Sequence, residues 1–154
     1  MIIEVNIDIV KQPIDALCHQ ANCFTTMGSG VAKRIREVYP EAYEVDCTTV
    51  KGDIKKLGTF SCVRTHDGKT VYNVYSQYTF GMEKRQTNYE AIYSGLSAVK
   101  SDMLVKNLKT LAIPRNMGCV LGGGDWRIVD KMIDIIFEDD AIDIYICNYN
   151  PNEK

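Results

Sequence analysis

The sequence predicts an α/β domain whose mixed, mostly parallel sheet of about six strands lies between helices, and three observations carry that expectation. The second half of the chain alternates strand, helix, strand, helix, strand, the order of crossover units that lay parallel strands side by side. The helical segments between those strands are amphipathic, so each has one face to lay against the sheet. Two glycine-rich stretches follow predicted strands directly, where sheets of this kind hold ligands beyond their carboxyl ends.

Taken in order, IIEVNI (2–7) and DALCHQAN (15–22) read as strands. From Gly30, VAKRIREVYP reads as a helix with Val31, Ile35 and Val38 at helical spacing and Pro40 stopping or bending it. Residues 41–51 form a second helical or irregular segment. GTFSCVR (58–64) and KTVYNVYSQ (69–77) are rich in aromatic and β-branched residues and read as a hairpin turned by THDG (65–68). Residues 87–107 read as a long amphipathic helix with Tyr89, Ile92, Tyr93, Leu96 and Val99 on one stripe. TLAIPR (110–115) reads as a buried strand, residues 126–140 as a helix that Asp125 could cap, and IDIYICN (142–148) as the closing strand. No linker, repeat or low-complexity tract divides the chain, so residues 1–154 are expected to form one domain.

Composition narrows the function classes. Of 154 residues, 45% are hydrophobic and 25% charged, which is ordinary for a globular domain large enough to bury a core. No apolar run approaches the roughly 20 residues needed to span a bilayer. The N-terminus MIIEVNIDIV lacks a basic start and a small-residue cleavage site, so a cytoplasmic chain without membrane contact is expected. With a formal net charge of -2 and only short, interrupted basic clusters (KRIRE 33–37, KKL 55–57), extended nucleic-acid binding is not expected. The six cysteines form no CxxC pair, and only His19 and His66 could join them, so no metal or other cofactor is expected either.

The chemistry concentrates in two clusters. In HQANCFTTMGSGVAKRI (19–35) a strand ends at Asn22, and Gly28-Ser29-Gly30 opens a helix whose N-terminal N–H groups and dipole suit a phosphate. A glycine turn of that kind is weak evidence alone. IPRNMGCVLGGGDW (113–126) places four glycines within Gly118–Gly124, between a buried strand and a helix. Consecutive glycines cost backbone entropy, so two such loops in corresponding positions favour a pyrophosphate gripped by main-chain amides. Neither loop has the spacing of a dinucleotide fingerprint or the lysine of a P-loop.

Asp8 after the first strand, DALCHQAN, MGSGVA and IPRNMGCVLGGGDW, in this order and spacing, resemble the macro domain family over nearly the whole chain. The histidine form of the second strand, YSQYTFG, TNYEAI and GGGDW are most similar to its ADP-ribose 1''-phosphate phosphatase and ADP-ribosyl hydrolase branch. The resemblance implies a single three-layer α/β/α macro domain that binds ADP-ribose, ADP-ribose 1''-phosphate or ADP-ribosylated macromolecules. Asp8 would accept the adenine amino group beside the Ile9 backbone, and Asn22 would bond the distal ribose. Gly28, Ser29, Gly30 and Val31 would wrap that ribose and one phosphate. Gly118, Cys119, Val120, Leu121 and Gly122 would wrap the pyrophosphate from the other side, with Ser76 and Gln77 nearby and Tyr149 flanking adenine. The second loop departs from the family in carrying Val120 where glycine is common, and a β-branched residue disfavours positive φ.

Each residue also has a plainer reading. Asp8 could be a surface acid at a strand end, Asn22 an Asx turn, and Tyr149 a surface aromatic. His19 has the intrinsic pKa of a general base and matches the histidine of the phosphatase-like branch. It has opposite strand parity to Asn22, so both face one cleft only if the strand bends between them, and it could equally be a core residue. Asp125 could activate water or simply cap a helix. The expected reaction is hydrolysis at the distal ribose with His19 or Asp125 activating water while Asn22 positions the sugar; the competing class is a non-catalytic reader with the same pocket.

Overall fold

The computed structural model describes residues 1–81 and 83–148. Its elements run β1 (Ile2–Val5), β2 (Ala16–Asn22), α1 (Gly30–Val38), α2 (Pro40–Asp46), β3 (Phe60–Arg64), β4 (Thr70–Gln77), α3 (Tyr89–Val105), β5 (Thr110–Pro114), α4 (Trp126–Ile136) and β6 (Asp143–Cys147). The six strands form one sheet in the order β1-β6-β5-β2-β4-β3. Every pairing is parallel except β3 with β4, the hairpin expected from THDG. Thr65 and Lys69 close that turn, the Thr65 N–H donating to the Lys69 carbonyl at 2.7 Å.

Two cores flank the sheet. On one face α3 and α4 lay Ile92, Leu96, Val99, Val129 and Ile133 against Tyr72, Val74, Leu111 and Ile144. On the other, Ile35 and Tyr39 of the α1–α2 region pack on Leu17, Val71 and Ala112. This is the three-layer α/β/α arrangement. β4 is buried along nearly its whole length because helices cover both faces.

The structure moves several expected boundaries for local reasons. β1 stops at Val5, and the Asp8 carboxylate accepts the Val10 N–H to cap a 3-10 turn at Ile9–Lys11. Pro40 both ends α1 and starts α2, occupying the first helical turn where its missing N–H costs nothing. A second 3-10 turn, Ile54–Lys56, is capped by Asp53. α3 buries Ile92, Leu96, Val99 and Met103, while Tyr93, expected on this stripe, points outward at 42% exposure.

Candidate functional site at the ends of β2 and β5

β2 and β5 are neighbours at the centre of the sheet, and the chain leaves their carboxyl ends toward opposite faces. From β2 it passes to α1 on one face; from β5 it passes to α4 on the other. That divergence is where open α/β sheets place their ligands.

The first loop runs from Asn22 to Gly30. Asn22 Oδ1 accepts the Phe24 N–H at 2.8 Å, an Asx turn, and its Nδ2 donates to Thr26 Oγ1 at 2.7 Å. Thr25, Met27 and Gly30 all adopt positive φ (56°, 39° and 59°), which doubles the chain back into α1. Ser29 is the N-cap residue, yet its hydroxyl makes no capping bond. The first N–H groups of α1 therefore lack intrahelical partners, and Gly28, Ser29, Gly30 and Val31 around them are exposed.

The second loop is closed at its base by the Gly124 N–H donating to the Gly118 carbonyl at 2.9 Å. Positive φ falls on Asn116, Gly118 and Gly123 but not on Val120, so valine at that position leaves the turn unstrained. Val120 and Leu121 are exposed. Cys119 donates to the Met117 carbonyl, and burial pushes its thiol up to about 11, which disfavours the thiolate. The two loops meet: a Cβ placed on Gly30 would lie 3.1 Å from Leu121 Cδ1. A surface hollow of about 630 Å³ is lined by Asp125, Arg127, Ile128 and Ile135 where the second loop enters α4, and another of about 540 Å³ lies beside Arg64 and Lys106.

Other predicted residues take different places. Asp8 is buried, not a surface acid; its Oδ2 accepts from Arg34 Nε and Nη2 at 3.1 and 2.9 Å, while Oδ1 accepts from Val10. A ligand amino group would share this carboxylate with Arg34. Ile9 is buried on the adjoining 3-10 turn. Tyr149 lies outside the described residues.

The structure gives three further groups of expected site residues the plainer of their two readings or a supporting place. β2 has a register irregularity between Ala21 and Asn22, the bend that parity required, but His19 does not reach the cleft. It is 1% exposed, and its Nε2 donates to Asn73 Oδ1, directly opposite on β4, at 2.6 Å. Asn73 Nδ2 continues to Ser61, Ser61 to Tyr75 and Tyr75 to Asp46, so His19 begins a buried polar chain that fixes the core. Burial holds the imidazole below its ordinary pKa. Ser76 is fully buried and donates to Gln20 Oε1 at 2.8 Å, and Gln77 bonds Gln20 and the Thr79 carbonyl. Both brace the loop from beneath instead of lining it. Asp125 caps α4 by accepting the Arg127 N–H and pairs with the Arg127 guanidinium at 2.7 Å, which holds its carboxyl below the usual range. In this structure it caps the helix.

Sequence reasoning missed Gln20, Thr87 and Arg34. Gln20 was the most legible, as a polar side chain amid the apolar residues of β2; Thr87 and Arg34 carry no pattern of their own. Among the described residues, no group of His, Cys, Asp and Glu is placed to hold a metal ion, and no helix is long and apolar enough to cross a membrane.

Comparisons with known proteins agree with this architecture. An uncharacterized 17.5 kDa protein of Enterobacteria phage T4 is 31% identical over 140 residues, covering 88% of this chain and 86% of that protein. The DNA ADP-ribosyl glycohydrolase of Mycobacterium tuberculosis is 25% identical over 134 residues, 85% of this chain but only 37% of that longer protein. The solved macrodomain of DarG from the same organism superposes with a TM-score of 0.80 at 24% identity, covering 99% of both chains. Thermosipho africanus DarTG in complex with ADP-ribose superposes with a TM-score of 0.71 at 22% identity, covering 92% of this chain and 39% of that one. A family model for the Macro domain matches residues 18–133. The chain belongs to the macro domain family.

Proposed function

We propose that this domain binds ADP-ribose between its two loops and hydrolyses a bond at the distal ribose. The observation that carries the reading is the divergence of β2 and β5, which brings the open N-terminus of α1 and the glycine loop before α4 to within van der Waals reach at Gly30 and Leu121. Main-chain donors on both sides can take a diphosphate without basic side chains. Asp8 sits on the α1 side, almost fully buried and bound to Arg34 and Val10, and an adenine amino group would share its carboxylate. Asn22 opens the first loop with its amide bonded to Phe24 and Thr26, and its remaining N–H is the donor that the distal ribose would take.

Hydrolysis is supported by the glycohydrolase relatives, of whose length this chain spans about a third. The substrates that fit are ADP-ribose 1''-phosphate, an ADP-ribosyl ester and ADP-ribose attached to a macromolecule. Asn22 orients but does not accept a proton at neutral pH. A reader without turnover is the second reading, favoured by the burial of His19 and the capping role of Asp125. The test is to incubate the protein with ADP-ribose 1''-phosphate and with ADP-ribosylated DNA, following released phosphate and released ADP-ribose. Release from either supports hydrolysis. Tight ADP-ribose binding by calorimetry with no release from either establishes the reader, and absence of binding overturns both.

A further inference from the structure

Thr87 precedes α3, is 2% exposed, and turns both its polar groups onto the second loop. Its N–H donates to the Gly122 carbonyl at 3.1 Å, and its hydroxyl donates to the Gly118 carbonyl at 2.5 Å. The hydroxyl also accepts from Gln20 Nε2 at 3.1 Å. Each carbonyl is doubly engaged: Gly122 also receives the Gln86 N–H at 2.8 Å, and Gly118 also receives the Gly124 N–H. Gln20 is fixed in turn by Ser76 and Gln77, so the brace runs from β2 and β4 to the loop.

The packing shows how tightly the loop is seated. A Cβ on Gly122 would fall 2.3 Å from Thr87 Oγ1 and 2.8 Å from Gln20 Nε2; one on Gly118 would fall 2.9 Å from Thr87 Oγ1 and 2.7 Å from Gln20 Oε1. Carbonyl and N–H of one trans peptide point in opposite directions. Holding the Gly122 carbonyl toward Thr87 therefore turns the Gly123 N–H away from it.

We propose that Thr87 is the positioning residue of the anion-binding loop: its hydroxyl anchors the Gly118 end of the loop and its N–H the Gly122 end, which keeps the Gly123 N–H turned outward. This rests on the reading of Gly118–Gly124 as a diphosphate cradle. Without the hydroxyl, Gly118 keeps only the Gly124 N–H, and Gln20 Nε2 loses one acceptor. The loop can then sample peptide orientations that no longer converge on a phosphate.

The test compares Thr87→Val, which keeps the shape and the N–H but not the hydroxyl, with Thr87→Ser, which keeps both polar groups. ADP-ribose affinity is measured by calorimetry, and amide hydrogen exchange is followed over residues 118–124. Thr87→Val is expected to weaken ADP-ribose binding severalfold, because the Gly118 end of the loop is freed and must be reordered on binding, and to speed exchange in the loop. Thr87→Ser is expected to restore both to within about twofold of wild type. Unchanged loop exchange in Thr87→Val, or failure of Thr87→Ser to restore it, overturns the brace. Faster exchange with unaltered ADP-ribose affinity keeps the brace but overturns its role in binding. If the wild-type protein does not bind ADP-ribose, the cradle reading falls and the positioning role falls with it, while exchange alone still reports whether Thr87 holds the loop.

Discussion

Leu121 on the second loop rests against Gly30 at the start of α1, with 3.1 Å between Leu121 Cδ1 and the place a Gly30 Cβ would occupy. The contact joins the two loops. Gly30 has a φ of 59°, a conformation that costs other L-residues about 1–2 kcal/mol. Gly30→Ala is therefore expected to lower the melting temperature by a few degrees and to weaken ADP-ribose binding. Adding Leu121→Ala should recover part of the binding but little of the stability, because it removes the clash and leaves the backbone strain. Wild-type affinity in Gly30→Ala, measured by calorimetry, would show that the loops do not form one site.

The Asp8 carboxylate offers a second test. An adenine amino group can donate to it, whereas hypoxanthine presents a carbonyl oxygen at the same ring position and would meet repulsion. Wild-type protein should prefer ADP-ribose over its inosine counterpart by about tenfold, the scale of one charge-assisted hydrogen bond. Asp8→Asn should reduce that preference severalfold. Arg34 already occupies Oδ2, so Arg34→Met should leave the preference intact. Equal affinity of the wild type for the two bases removes Asp8 from base recognition.

The β3–β4 hairpin and the parallel pairing of the later strands were legible from turn chemistry and the alternation of strand and helix, whereas the order of strands in the sheet carries no local signal. The 3-10 turns at Ile9–Lys11 and Ile54–Lys56 were not, because three residues carry no periodicity and their caps, Asp8 and Asp53, look like any surface acid. Tyr93 fits the stripe of α3 by spacing, four residues after Tyr89, but the packed row steps through Ile92, Leu96, Val99 and Met103 and passes it by. The glycine loops were found for an incomplete reason. Gly118 and Gly122 must lack a Cβ to sit on Thr87 and Gln20, a constraint from partners 31 or more residues away that no local pattern records. His19 shows the same limit: whether a histidine in a strand faces a cleft or a core depends on what its neighbouring strand supplies, here Asn73.

That burial has a pH signature. Neutral His19 binds a proton less readily in the fold than in the unfolded chain, where its ordinary value is 6.5. The unfolded state thus holds more protons below about pH 6.5, and stability present above that value is lost as pH falls through the depressed folded value. Asp46 has the opposite sign: burial raises its carboxyl above 3.8, so its contribution is full below 3.8 and declines as pH rises through the folded value. Asp67 and Asp102, held low chiefly by hydrogen bonds from Thr65 and Lys106 that outweigh their own burial, lose their contribution only in stronger acid. His19→Gln should flatten the melting-temperature profile between about pH 5 and 7, while leaving turnover at neutral pH within about twofold of wild type. A profile as steep as wild type would assign that slope to other groups, and loss of turnover in a protein that still binds ADP-ribose would return His19 to the chemistry.

Asp125 can be separated into its two roles by choosing the replacement. Its Oδ1 accepts the Arg127 N–H at 3.0 Å, and its own N–H donates to the Tyr89 hydroxyl at 2.8 Å. Asparagine can make the same capping bond but cannot take a proton, whereas alanine can do neither. If Asp125 is a cap, Asp125→Asn should keep the wild-type melting temperature and turnover, and Asp125→Ala should melt a few degrees lower with its binding of ADP-ribose retained. A general base would behave differently: Asp125→Asn would fold normally, bind ADP-ribose and release product at least about a hundredfold more slowly. The Arg127 ion pair, which lowers the carboxyl's affinity for a proton, favours the first outcome, and turnover by the asparagine variant decides between them.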